Sequence, residues 1–329
     1  MRVLIATTAG SGHFGPMLPF AGALRDAGHA VRVAAPASFG PAVERAGFVH
    51  EPFPDADPAA LGAIFGSLQG VTNEEGNQVV ARDVFGRVDA QAAMPGMQAI
   101  VDRWRPDIVV RESAEISSYV VAEATGVPHV QVAVGLTSFE ARFLQVLEEP
   151  LRELGSASGV AGLLAAPRLS LLPQSFDPES TATTRRFRAD PPPAGDGLPD
   201  WWGGSGAPLV YMTFGSVTAS MGTFAGVYPE AVAAVAGLPI RVLLTTGEGI
   251  GVDALQPLPP NVHVERWWPQ ADVMPHAAAM VGHGGLGTTL HGLAAGVPQA
   301  VVPIFADQPH NAGRVAALAP VSSSTAPPG

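Results

Sequence analysis

A histidine that opens a helix, where the positive end of the helix dipole keeps its ring neutral, can take a proton from a hydroxyl. His13 has that placement, in Gly10-Ser11-Gly12-His13-Phe14-Gly15 directly after the apolar run Val3-Leu4-Ile5-Ala6. Such a base works best with a carboxylate on its other ring nitrogen, which fixes the tautomer and stabilises the developing imidazolium. The run Asp107-Ile108-Val109-Val110-Arg111-Glu112 brings an acid to the same sheet edge, so Glu112 is the first choice of partner and Glu115 the second. The plainer readings are a histidine that only caps its helix and acids that only face solvent.

A second constellation suits an anion. In Val281-Gly282-His283-Gly284-Gly285-Leu286-Gly287-Thr288-Thr289 an apolar strand opens into a glycine-rich turn, and a helix begins near Gly285. Bare amides and a helix dipole there face an incoming phosphate, and His283 and Thr288 add side-chain donors. This is not a Walker loop, because the chain has no lysine to follow the glycines.

Two other motif matches lead elsewhere. The spacing of Gly10, Gly12 and Gly15 also fits a dinucleotide fingerprint, but the second strand ends Val33-Ala34-Ala35-Pro36 without the carboxylate that holds an adenosine ribose. Asp55-Ala56-Asp57 has the form of a metal-binding pair, yet it lies between Pro54 and Pro58 and reads as a solvated turn. No metal is expected.

The elements that must position these residues alternate. Strands are predicted at 2–6, 30–34, 107–110 and 130–134, with helices at 16–27, 41–46 and 117–125, and a second series of strands at 209–214, 241–245, 262–264, 279–282 and 299–303. Wholly apolar strands alternating with helices predict parallel sheets covered on both faces. The fold class expected is α/β, with two Rossmann-like doubly wound domains facing a cleft. The boundaries are an acceptor-binding domain at 1–188, a Pro- and Gly-rich linker at 189–207, a nucleotide-sugar donor-binding domain at 208–319 and a low-complexity tail at 320–329. The stretches 61–80 and 136–154 are candidate acceptor-covering insertions, or plain surface helices.

Length and composition bound the function. A chain of 329 residues, 47% hydrophobic and 14% charged, exceeds what one core serves and suits a two-domain globular enzyme. Mean hydropathy is +0.23, but no uninterrupted apolar run approaches the roughly 18–20 residues of a spanning helix. The first apolar run is also too short for a signal peptide. Zero cysteines exclude disulfides and thiolate catalysis and fit a reducing compartment, so a cytoplasmic location is expected. With 29 acidic residues against 18 basic ones, all arginine, the net charge of −11 disfavours nucleic acid and anionic lipid as partners. An anionic substrate must therefore be held by local devices.

The order Trp267-Trp268-Pro269-Gln270, His283-Gly284-Gly285-Leu286-Gly287-Thr288, Gly296-Val297-Pro298 and Asp307-Gln308 resembles the donor-binding signature of family 1 glycosyltransferases. With Gly10-Ser11-Gly12-His13 and Thr213-Phe214-Gly215-Ser216, the resemblance covers essentially the whole chain and is closest to the actinobacterial branch that glycosylates polyketides and other antibiotics. It implies the GT-B fold and an inverting, metal-independent transfer of a sugar onto a hydroxyl of a small hydrophobic acceptor, with no cofactor. It implies that His13 is the base and that Glu112 stands where many members have an aspartate. On the donor side Trp267 would stack on the base and Gln270 reach the ribose. His283, Gly285, Gly287 and Thr288 would hold the diphosphate, Ser216 would contact a phosphate, and Asp307 and Gln308 would touch sugar hydroxyls.

Two departures bear on the reading. Plant members hold both ribose hydroxyls with a glutamate where this chain has His291, which favours a dTDP-sugar, and a deoxysugar donor, over a UDP-sugar. Family members also continue for several tens of residues beyond Asp307-Gln308, whereas this chain ends in a Ser- and Pro-rich tail. The expectation is an incomplete second domain, a poorly ordered tail and low activity unless a homodimer covers the edge. The rival readings are a nucleotide-sugar epimerase of the same fold and a catalytically idle relative that acts as a partner protein.

Overall fold

The computed structural model describes residues 1–189, 198–199, 206–220, 224–247 and 249–318. The chain divides into two compact units, Met1–Pro173 with Glu179–Pro192, and Gln174–Pro178 with Pro193–Gly329. The tail at 320–329 and most of the stretch 189–207 lie outside the described residues. Among the described residues no helix is long and apolar enough to cross a membrane.

In the first unit β1 (Arg2–Ala6), β2 (Ala30–Pro36), β3 (Val49–Phe53), β4 (Ile108–Glu112), β5 (His129–Val132), β6 (Arg168–Ser170) and β7 (Thr184–Arg186) form one parallel sheet in the order β3-β2-β1-β4-β5-β6-β7. The winding reverses between β1 and β4, and loops leaving the carboxyl ends at such a point diverge and leave a crevice. Val3 stands opposite Ile108 and Ala6 opposite Arg111, so the chains leading to His13 and Glu112 depart from one edge.

Strand alternation divides the core. Leu4, Ala6 and Val109 pack under Met97, Ile100, Val101 and Trp104, while Val3, Ile5 and Val110 pack under Phe14, Met17, Ala21 and Val43. Both faces of the sheet are thus buried, as the apolar runs require.

In the second unit β8 (Leu209–Thr213), β9 (Arg241–Thr245), β10 (Val262–Glu265), β11 (Ala277–Gly282) and β12 (Gln299–Val301) form a parallel sheet ordered β10-β9-β8-β11-β12. Gly282 stands opposite Thr213, which brings the loops after β8 and β11 together. This unit takes in the pentapeptide Gln174–Pro178: Arg314 donates to the carbonyls of Phe176 at 2.7 Å and Ser175 at 2.9 Å, and Phe176 is fully buried.

Three strands were not foreseen. β3 reads Val-His-Glu-Pro-Phe and sits at the sheet edge, where Pro52 is tolerated, with its buried Glu51 paired to Arg32 and Arg103. β6 and β7 have three residues each, too few to show a period. The insertion at 61–80 resolves into the helices Pro58–Ser67 and Asn73–Val79, and that at 136–154 into Thr137–Leu144 and Glu148–Glu153. Val80–Asp89 follows the second helix as a π-helix and runs on into Ala90–Trp104.

Candidate active site

His13 lies in a short turn of helix, Ser11–Phe14, that follows Gly10, whose φ of 124° few other residues adopt. A helical turn at Gly15–Met17 continues into Leu18–Asp26. The His13 side chain is 27% exposed, and its Nδ1 is 3.2 Å from Oε2 of Glu112, which is fully buried at the end of β4. Of the two acids proposed as its partner, Glu112 is therefore the one brought to His13. Glu115 instead accepts from the Ser117 hydroxyl and the Ser118 amide and starts the helix Ser117–Thr125.

Three further donors fix the Glu112 carboxylate. Oε1 accepts from the Thr8 amide at 3.2 Å and the Thr8 hydroxyl at 3.0 Å, and Oε2 from the Ala114 amide at 2.6 Å. Burial alone would raise its pKa, but the charge and hydrogen bond of His13, together with the Ala114 and Thr8 amides, prevail and lower it. A carboxylate so held stabilises the folded state above its ordinary value of 4.5, and that contribution is lost as pH falls through the folded value. Glu112→Gln should therefore melt below the wild type at neutral pH, with the gap closing in acid. A gap that stays constant down to the acid limb would show that the charge contributes nothing.

Behind the pair stands a cation that the sequence did not single out. Arg111 is fully buried and donates to the Glu112 carbonyl at 3.1 Å and to Gln131 Oε1 at 2.8 Å, with its guanidinium 5.7 Å from the centre of the Tyr119 ring. Burial lowers its pKa against the opposing charges of Glu115 and Glu112. It neighbours two buried acids, and buried charges require such partners.

In the second unit β11 runs into His283-Gly284-Gly285 and then the helix Leu286–Ala294. A Cβ on Gly285 would stand 2.3 Å from His283 Nε2, and one on Gly215 would stand 2.6 Å from it. The imidazole is thus pressed between two bare stretches of backbone. Burial lowers its pKa to about 4, opposed by the hydrogen bond the ring donates to the Thr213 main chain, so the ring is neutral near pH 7.

Thr288 Oγ1 accepts from Gln270 Nε2 at 3.0 Å, which leaves its own O–H to donate, and Gln270 Oε1 faces His291 Nδ1 at 2.6 Å. Gln270 opens the helix Gln270–Val273 after Pro269. Trp267 is 71% exposed, a free aromatic face beside it in the chain. Gly287 is exposed on the first turn of Leu286–Ala294, and Ser216 is exposed in the loop after β8.

Asp307 follows Ala306, which has φ 56°, a strained value for a residue with a Cβ. Its Oδ2 accepts from Asn311 Nδ2 at 2.8 Å, and the same amide donates to the Gly284 carbonyl at 2.9 Å. Fully buried Asn311 thus ties the Asp307 loop to the glycine turn, a role that no sequence motif announced. Gln308 is buried, and its Oε1 accepts from the amides of Ile304 at 2.8 Å and Phe305 at 3.0 Å, so its carbonyl end shapes the loop. Asp55 accepts from the Ser38 amide at 3.0 Å and Asp57 caps Pro58–Ser67 through the Ala59 amide, so these two acids do local work.

Residues 22–215 match the family described as Erythromycin biosynthesis protein CIII-like, N-terminal domain, and residues 230–322 match its C-terminal domain. The chain is 33% identical to L-demethylnoviosyl transferase of Streptomyces niveus, over 97% of this chain and 83% of that protein. It resembles the solved structure of the glycosyltransferase VinC in complex with DTDP, with a TM-score of 0.69 and 25% identity over 96% of this chain and 85% of the other. Spinosyn rhamnosyltransferase SpnG shares the fold with a TM-score of 0.77 at 21% identity, over 96% of this chain and 84% of that one.

Proposed function

The chain belongs to the EryCIII-like glycosyltransferases of actinobacterial natural-product biosynthesis, and we propose that within this GT-B family it transfers a deoxysugar, with inversion, from a dTDP donor to a hydroxyl of a hydrophobic aglycone. The observation that carries the reading is the His13–Glu112 pair: a partly exposed imidazole with one nitrogen against a buried carboxylate. Nδ1 faces Glu112, which leaves Nε2 to take the acceptor proton as the oxygen attacks the anomeric carbon. Glu112 then stabilises the imidazolium.

The second unit supplies the leaving-group side. The first amides of Leu286–Ala294, with Gly285, Gly287 and the Thr288 hydroxyl, donate to the departing diphosphate, and neutral His283 packs behind that turn, with Ser216 on a phosphate and Trp267 against the base. Asp307 takes sugar hydroxyls, and Gln308 holds the loop that presents it. The test is mass spectrometry of products from dTDP- and UDP-sugars offered with hydrophobic aglycones. Glycoside formation with inverted configuration is expected. A freed epimer of the donor, or donor binding with no product on any aglycone, would replace this reading with the epimerase or the idle partner.

The donor preference follows from His291. Gln270 spends its amide N–H on Thr288 and turns its oxygen to His291, so Nδ1 of that ring carries the proton and Nε2 is the acceptor. One lone pair serves the single free hydroxyl of a deoxyribose, whereas the two of a ribose call for a carboxylate. Calorimetry should show dTDP bound more tightly than UDP by a modest factor, since Trp267 and the diphosphate cradle serve both, and His291→Glu should move the preference toward UDP. Clearly tighter UDP binding by the wild type would remove this account of His291.

A further inference from the structure

Asp89 ends the π-helix Val80–Asp89 and has no part in the pair just described. In a helix whose hydrogen bonds run five residues apart, a turn holds more than four residues, so side chains four apart stack on one face. Phe85 and Asp89 are related in this way. The Phe85 ring lies 5.4 Å from that of His13, and the Phe143 ring lies 5.9 Å beyond it. The helix face that meets His13 thus carries an aromatic ring followed by a carboxylate. Next to Phe143, a groove between Asn73–Val79 and Thr137–Leu144 is lined by Asn77, Gln78, Phe139 and Arg142.

Asp89 is half-buried and accepts no hydrogen bond among the described residues. The neighbouring arginines are engaged elsewhere, Arg82 with Asp83, and Arg87 with Asp83, Glu149 and Glu153. Burial raises the Asp89 pKa to about 6; the charge of His13 opposes this, and Glu112 and Glu115 add to it. A desolvated acid without a donor is costly to keep, and such acids concentrate where a ligand supplies the missing bond.

We propose that Asp89 is a specificity-determining residue that accepts a hydrogen bond from a second hydroxyl of the acceptor, adjacent to the one His13 deprotonates, so that the chain selects aromatic acceptors with paired hydroxyls. Phe85 and Phe143 offer their rings to the aromatic frame. The inference rests on the reading of His13 as the acceptor-side base.

The probes are alizarin, which carries two adjacent phenols, and a monohydroxyanthraquinone, titrated by fluorescence into the wild type, Asp89→Ala and Asp89→Asn. The wild type should bind alizarin more tightly by roughly 10–100-fold, the scale of a hydrogen bond to a charged partner. Asp89→Ala should erase that preference while leaving the single-hydroxyl probe and dTDP within a few-fold of wild type. Asp89→Asn, which keeps an acceptor oxygen, should retain part of it and serves if the alanine variant folds poorly. A wild type without the preference, or variants that weaken both probes alike, would overturn the assignment. Its failure is separable from that of the base: turnover lost in His13→Ala with the alizarin preference insensitive to Asp89 removes only this inference, and turnover intact in His13→Ala removes the base.

Discussion

His13→Ala should lower turnover by roughly 10²–10⁴-fold, the scale of a general base, and leave dTDP affinity unchanged. The size follows from what is lost: an imidazole set against a buried carboxylate, with Nδ1 at 3.2 Å from Glu112. The selectivity follows from where the proposed nucleotide-binding residues lie, because Trp267, Gln270, His283 and Thr288 all belong to the second unit and His13 to the first. The fold should survive, since Glu112 keeps the Thr8 amide, the Thr8 hydroxyl and the Ala114 amide after the ring is gone. Product formation by mass spectrometry and dTDP binding by calorimetry are read on the same preparation. Undiminished turnover would remove His13 from the chemistry, and loss of dTDP binding would mean that the substitution acts through the structure.

Much of this arrangement could be read in advance because its signals are local. A four-residue apolar run such as Val3–Ala6 followed by glycines declares a buried parallel strand and a turn, and the same holds for β11 and its glycine-rich exit. Glu112 was legible because the β4 run ends on it. The parts that escaped depend on distant partners. Arg111 looks like a surface charge until Gln131, twenty positions on, and the Glu112 and Glu115 carbonyls converge on it. Asn311 has meaning only through the Gly284 carbonyl and Asp307. Asp89 ends a stretch whose π winding no apolar period reveals, and Phe85 and Phe143 belong to separate helical segments that packing brings together. Gln308 shows the opposite limit: the motif names the residue, but the amides that its side chain serves are set by the loop.

The second large effect is expected at Gly285, where alanine should weaken dTDP binding by roughly 10–100-fold and destabilise the second unit by about 1–3 kcal/mol, the usual cost of overpacking. The new Cβ would enter at 2.3 Å from His283 Nε2, a distance that real carbons do not occupy. A surface histidine would swing away at little cost. His283 has no such exit: it is 8% exposed, and on its other side the bare backbone of Gly215, at φ 84°, lies so near that a Cβ there would be 2.6 Å from the same nitrogen. Relief must therefore come from the His283-Gly284-Gly285 turn itself. Gly284 is fixed in turn, with its carbonyl bound to Asn311 and the place of its own Cβ 2.9 Å from the Gln308 carbonyl, so the movement spreads to the Asp307 loop. Displacing this turn tilts the amides that open Leu286–Ala294, and a diphosphate held by several such donors loses them together. The double variant His283→Ala with Gly285→Ala separates the clash from any need for glycine conformation, because Gly285 has φ −59° and accepts a side chain without backbone strain. Removing the ring should restore most of the lost melting temperature while dTDP affinity stays low, since the imidazole that packs behind the turn is gone. If the double variant melts no better than Gly285→Ala alone, the contact with His283 is not what requires glycine at this position.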